Sequence, residues 1–105
     1  MKYIFSVLIL ITVTSFGQIS KVAYSDGTQQ LEGYFANAKK ANPKKIGVIV
    51  LPAWMGVDNN AKESAEALAK LGYHAFVADI YGVGNNPKNT SEAGKNAGFY
   101  KNNPA

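Results

Sequence analysis

GVIVLPAWMGVDNNAKESAEALAKLGYHAFVADIYGVG, residues 47–84, carries the pattern that decides the fold. Ile46 to Leu51 is a continuous apolar run rich in β-branched side chains, which predicts a strand covered on both faces. In the stretch after it, Ala61, Ala65, Leu68 and Ala69 recur three and four residues apart among helix formers. That spacing predicts an amphipathic helix with a narrow apolar stripe. Asp58 or Asn59 is placed to cap its first turn, and Gly72 to end it in a left-handed conformation. YHAFVADI then predicts a second buried strand ending at Asp79. Strand, helix and strand with short joins imply a right-handed crossover and parallel pairing.

Upstream, two runs of β character, Lys21 to Tyr24 and Leu31 to Ala38, flank the turn signal Asp26-Gly27 and predict an antiparallel hairpin. The polar segment KKANPKK, residues 39–45, connects it to the first parallel strand. Downstream of Asp79 the chain turns rich in Gly, Asn and Pro, which predicts a loop and then a short helix from about Ser91, capped by Thr90 or Ser91. The fold class is therefore α/β: a β-hairpin followed by a βαβ unit of a mostly parallel sheet. Two parallel strands leave open edges, so the sheet is expected to be incomplete at the C-terminus, with further strands or a partner chain completing it.

The first residues, MKYIFSVLILITVTSFGQ, join one positive side chain, Lys2, to an apolar run from Tyr3 to about Val13 and the small residues Ser15 and Gly17. This is the pattern of a secretory signal peptide over residues 1–17, with cleavage expected after Gly17 and a domain over 18–105. The run is shorter than the ~20 apolar residues of a spanning helix, so no stable membrane anchor is expected after cleavage. A secreted or periplasmic location follows. With no cysteine in the chain, lipidation at that site, disulfides, thiolate metal sites and a cysteine nucleophile are excluded within these residues.

Hydrophobic residues make up 47% of the chain and aromatic ones 11%, which places it among globular rather than disordered sequences. The net charge of +4 arises from lysine alone, without arginine, and the lysine pairs at 39–40 and 44–45 surround Asn42-Pro43. A solvated connection, not a nucleic-acid surface, fits that arrangement.

The segment 47–84, with its aromatic-x-Gly loop, its LA..GY helix end and its strand closing in D-I-Y-G, resembles the dienelactone hydrolase family of α/β-hydrolases. The resemblance continues into SEAGKNAGFYKNNPA, residues 91–105, and weakly back over the hairpin. It implies a partial α/β-hydrolase fold and nucleophilic hydrolysis of an ester or lactone, with no cofactor and no metal. By matching positions it places the backbone N–H of Trp54 in the oxyanion hole and Met55 and Tyr81 along the substrate pocket. The general position agrees with the rule that ligands bind beyond the carboxyl ends of parallel strands. For the Trp54 side chain the competing expectation is an ordinary buried aromatic.

Two departures narrow the implied substrate. The family's glutamate before the loop aromatic is replaced by Ala53, and its carboxylate-binding arginine by Val83. The family's G-x-[CS]-x-G nucleophile elbow does not occur in these residues, and neither do the acid and histidine of its triad. Ser64 and Ser91 lie in helical contexts without elbow glycines and are expected to be surface or cap residues. His74 is expected at the amino end of its strand, away from the site, and Asp79 is expected to organise its loop through backbone N–H groups.

Two other classes remain. A dinucleotide-binding βαβ oxidoreductase would put Asp79 on a ribose, but it needs a glycine-rich turn where Pro52 to Gly56 carries a Trp-Met pair. A non-catalytic secreted module or truncated fragment would keep the scaffold without the chemistry.

Overall fold

The computed structural model describes residues 19–104, so the signal-peptide reading of residues 1–17 lies outside the described residues. Six elements follow in order: β1 (Ile19–Asp26), β2 (Gln29–Ala36), β3 (Gly47–Val50), α1 (Asn59–Lys70), β4 (His74–Val77) and α2 (Thr90–Asn102). β1 and β2 form the expected hairpin around Asp26-Gly27, in antiparallel register from Ile19 opposite Ala36 to Asp26 opposite Gln29. Both strands begin earlier than their apolar runs suggest. Polar residues Ser20, Gln29 and Gln30 belong to the ladder because backbone pairing continues wherever the partner does.

β3 and β4 pair in parallel, with Val48 opposite Ala75 and Val50 opposite Val77. The hairpin joins this unit through β2, which lies antiparallel to β4, giving the sheet order β1-β2-β4-β3. The sheet is mixed, with β3 at one edge.

α1 covers one face. Ala61, Ala65 and Ala69 are buried on it and pack with Ala36, Ala75 and Val77 of the sheet, while Ile19, Tyr34, Val50, Val57 and Leu68 close around them. Small side chains on both surfaces let helix and sheet approach closely, so the core is thin and largely alanine. Asp58 caps the helix, its carboxylate accepting from the Ala61 N–H at 2.9 Å. At the other end Gly72 has φ +103, and the bonds Tyr73 N–H to the Leu68 carbonyl and Gly72 N–H to the Ala69 carbonyl form a Schellman stop.

Three expectations need correction. Ile46 to Leu51 is not covered on both faces: Ile49 and Leu51 are 68% and 73% exposed, because α1 lies on the opposite face and the strand is at an edge. α2 is a full helix of 13 residues, not a short one. Its cap is Asn89 rather than Thr90 or Ser91, with the Asn89 side chain accepting from the Glu92 N–H and the Glu92 carboxylate accepting in turn from the Lys88 N–H at 2.8 Å. A capping residue three before a glutamate is a sequence signature of a helix start, and here the glutamate reaches back to the N–H of the residue before the cap.

Candidate active site

The chain leaves β3 through Leu51 and Pro52 and turns at Ala53 to Gly56 before α1 begins. The Gly56 N–H donates to the Ala53 carbonyl at 2.9 Å, which closes a four-residue turn around Trp54 and Met55. Neither of these has a positive φ, since among the described residues Lys45 alone of the non-glycines does. A hydrogen-bonded turn with both central residues at negative φ is type I. The N–H groups of Trp54 and Met55 meet no acceptor among the described residues. They lie at the carboxyl end of a parallel strand, where sites in such sheets form.

The Trp54 side chain is 48% exposed, so it is not the buried aromatic of the competing expectation. Met55 is half-buried beside it. Tyr81 is 4% exposed, and its hydroxyl donates to the Trp54 carbonyl at 2.6 Å. This bond joins the loop after β4 to the loop after β3. Tyr81 is held in turn by its N–H to the Asp79 carboxylate at 2.9 Å and by the Tyr100 hydroxyl, which donates to the Tyr81 carbonyl at 2.8 Å. Burial first, and then the neighbouring Tyr100, push the Tyr81 phenol above its ordinary value.

Asp79 organises the loop as expected. One carboxylate oxygen accepts from the N–H groups of Tyr81 and Gly82, the other from the N–H of Glu32 on β2. With both oxygens engaged by backbone, the carboxylate is occupied where the dinucleotide reading needs it free for a ribose. His74 starts β4, far along the strand from the turn, and its Nδ1 accepts from the Ala38 N–H at 3.1 Å. Its ring stacks on Phe35. Ser64 donates to the Asn60 carbonyl within α1, and Ser91 is exposed in the first turn of α2.

A depression of about 340 Å³ lies between the hairpin turn and the loop after β4, lined by Asp26, Gln29, Leu31, Asp79, Tyr81 and Tyr100 among others. Tyr81 borders it and Met55 does not. Sequence reasoning placed Tyr100 only in a helix, although it braces Tyr81. The pair are 19 residues apart, and neither spacing nor composition signals the contact. Among the described residues no group of His, Cys, Asp and Glu is arranged to hold a metal ion.

A strand, a four-residue turn, a helix and a strand, joined at the sheet by an amino-terminal hairpin, define a partial α/β fold of hydrolase type. The profile of the dienelactone hydrolase family matches residues 31–103, and the chain belongs to that family. Among solved structures it is similar to one named m3DLH, with a TM-score of 0.72 and 28% identity, over 81% of this chain and 35% of that one. It is also similar to a dienelactone hydrolase-like promiscuous phosphotriesterase from metagenomic libraries, with a TM-score of 0.65 and 34% identity, over 79% of this chain and 35% of that one. The chain thus spans about a third of the length of each. No curated protein matches the sequence.

Proposed function

We propose that this chain is the donor-turn portion of an ester or lactone hydrolase working by nucleophilic catalysis. The observation that carries this reading is the type I turn at the carboxyl end of β3, whose Trp54 N–H has no acceptor among the described residues. In the reaction a nucleophile outside residues 1–105 attacks the substrate carbonyl carbon, and the π electrons collapse onto oxygen. The Trp54 N–H donates to that oxyanion, the second donor being the N–H that follows the nucleophile. A donor of this type lowers the barrier by about 3 kcal/mol.

Ala53 and Val83 stand where the family carries a glutamate and an arginine, and Val83 is 52% exposed with no cation beside it in sequence. A buried substrate carboxylate without a paired cation is costly, so an uncharged ester or lactone is the substrate class that fits. The apolar leader over residues 1–17 supports a secreted or periplasmic protein. Edman sequencing of the exported protein, expected to begin at Gln18, checks this.

Reading the encoding gene past Ala105 tests the mechanism. A G-x-[CS]-x-G motif followed by an aspartate and a histidine is expected. A longer reading frame without them overturns the hydrolase reading, and an immediate stop codon favours a non-catalytic module. The chain of residues 1–105 itself is expected to hydrolyse p-nitrophenyl acetate no faster than background. Turnover abolished by Ser64→Ala or Ser91→Ala would place the nucleophile here instead.

A further inference from the structure

The donor turn contains three peptide planes, and its own hydrogen bond restrains the outer two but not the central one. The Ala53–Trp54 plane is fixed within the turn, because its carbonyl accepts from the Gly56 N–H. The turn makes no use of the carbonyl of the next plane, Trp54–Met55. In isolation only the strain of a positive φ at Met55 opposes its rotation. A type I turn becomes type II when its central peptide flips, and the flip puts the third residue, here Met55, at a positive φ. Flipping would carry the Met55 N–H to the opposite side of the turn.

Tyr81 opposes the flip. Its hydroxyl donates to the Trp54 carbonyl at 2.6 Å. A peptide unit is planar and trans, so holding the carbonyl also holds the N–H on the other side of the C–N bond. In the type I arrangement both central residues have helix-like dihedrals, and successive N–H groups then project in one direction, as they do at the start of a helix. The Met55 N–H is thereby set beside the Trp54 N–H.

We propose that Tyr81 is a positioning residue for the donor turn, locking the Trp54–Met55 peptide so that the Met55 N–H stands beside the Trp54 N–H as a further donor to the same oxyanion, in addition to the N–H that follows the nucleophile. The catalytic consequence rests on the hydrolase reading above, whereas the geometry does not. Tyr81 suits the task because it is itself immobilised at its N–H by Asp79, at its carbonyl by Tyr100 and around its ring by burial. The Tyr81 and Tyr100 rings lie 5.5 Å apart, so Tyr100 supports the ring as well as the backbone.

Isotopic labelling of the full chain with ¹³C and ¹⁵N tests this directly. Tyr81→Phe removes one oxygen and keeps the ring. The Trp54 carbonyl and Met55 amide resonances are expected to move, while the Gly56 amide, bonded to the Ala53 carbonyl in either turn type, keeps its exchange rate. The Ala61 amide, held by Asp58, should be unchanged. Unmoved Trp54 and Met55 resonances in a folded Tyr81→Phe chain overturn the proposal. If that variant does not fold, the unmutated chain decides: a Tyr81 hydroxyl proton resolved from water supports the bond, and one exchanging as fast as that of free tyrosine refutes it.

In the polypeptide that also carries the nucleophile, Tyr81→Phe should lower kcat about tenfold and leave KM within about twofold, since the lost positioning matters only once charge develops. Unchanged kcat overturns the paired-donor role. If the gene encodes no nucleophile, the hydrolase reading fails, while the resonance measurements still decide whether Tyr81 positions the turn.

Discussion

The carboxylate of Asp79 accepts a hydrogen bond from the Glu32 N–H at 3.0 Å, across 47 residues of chain. The same region is fastened a second time where the Asp79 N–H donates to the Tyr24 hydroxyl at 2.8 Å. Through these bonds the loop carrying Tyr81 is tied to both strands of the hairpin. Val83 adds a third fastening, its N–H donating to the Gln30 carbonyl at 2.9 Å.

Asp79→Ala therefore leaves three backbone N–H groups without their acceptor and is expected to destabilise the chain by roughly 2–4 kcal/mol, since bonds to a charged acceptor are the stronger kind. Asp79→Asn keeps an acceptor oxygen and should lose less. Urea denaturation of the two variants gives the comparison. Equal midpoints for Asp79→Ala and the parent would refute the role.

Gly33 of β2 sits where a side chain has no room: a Cβ there would lie 2.4 Å from the Val77 carbonyl oxygen and 2.8 Å from the Phe76 ring. Because the nearer atom is backbone of the paired strand, relief requires β2 and β4 to separate. Gly33→Ala is expected to cost about 2 kcal/mol or more, as overpacking does, although alanine favours a strand more than glycine. Thermal unfolding followed by circular dichroism would reveal an unexpected gain.

Alkaline pH should weaken the fold through Tyr81. Its phenol is raised by burial and then by Tyr100, so the folded state holds the proton more tightly than the unfolded chain does. Above the ordinary tyrosine value of about 10 the unfolded chain binds fewer protons, and stability falls as pH rises through the raised value. Below the ordinary value the contribution is fully present. Unfolding midpoints measured from pH 8 upward should show this loss, and the Tyr81→Phe chain should show less of it.

Side-chain deletion on the two faces of the sheet should give opposite outcomes. Val77 is 0% exposed beneath α1, so Val77→Ala is expected to cost about 2 kcal/mol. Ile49, one pleat away and 68% exposed, should tolerate Ile49→Thr within about 0.5 kcal/mol while making the chain more soluble. Denaturation midpoints and light scattering measure the two effects. A large loss for Ile49→Thr would mean that this face is covered in solution.

Local chemistry accounts for what could be read from the residues in order. The Asp26-Gly27 turn, the alanine stripe of α1, the Asp58 cap, the Gly72 stop and the parallel pairing of β3 with β4 all depend on neighbours a few residues apart or on a short crossover. Family resemblance, carried by residues 47–84, identified the class of protein and pointed to the loop after β3. Tertiary structure alone decided that β2 inserts beside β4 and that β3 is left at the edge. It alone joined Tyr81 to the Trp54 carbonyl, 27 residues away. The physical reason is the same in each case: a hydrogen bond between distant residues forms only after the sheet has brought their loops together, and neither the period nor the composition of either segment records its partner.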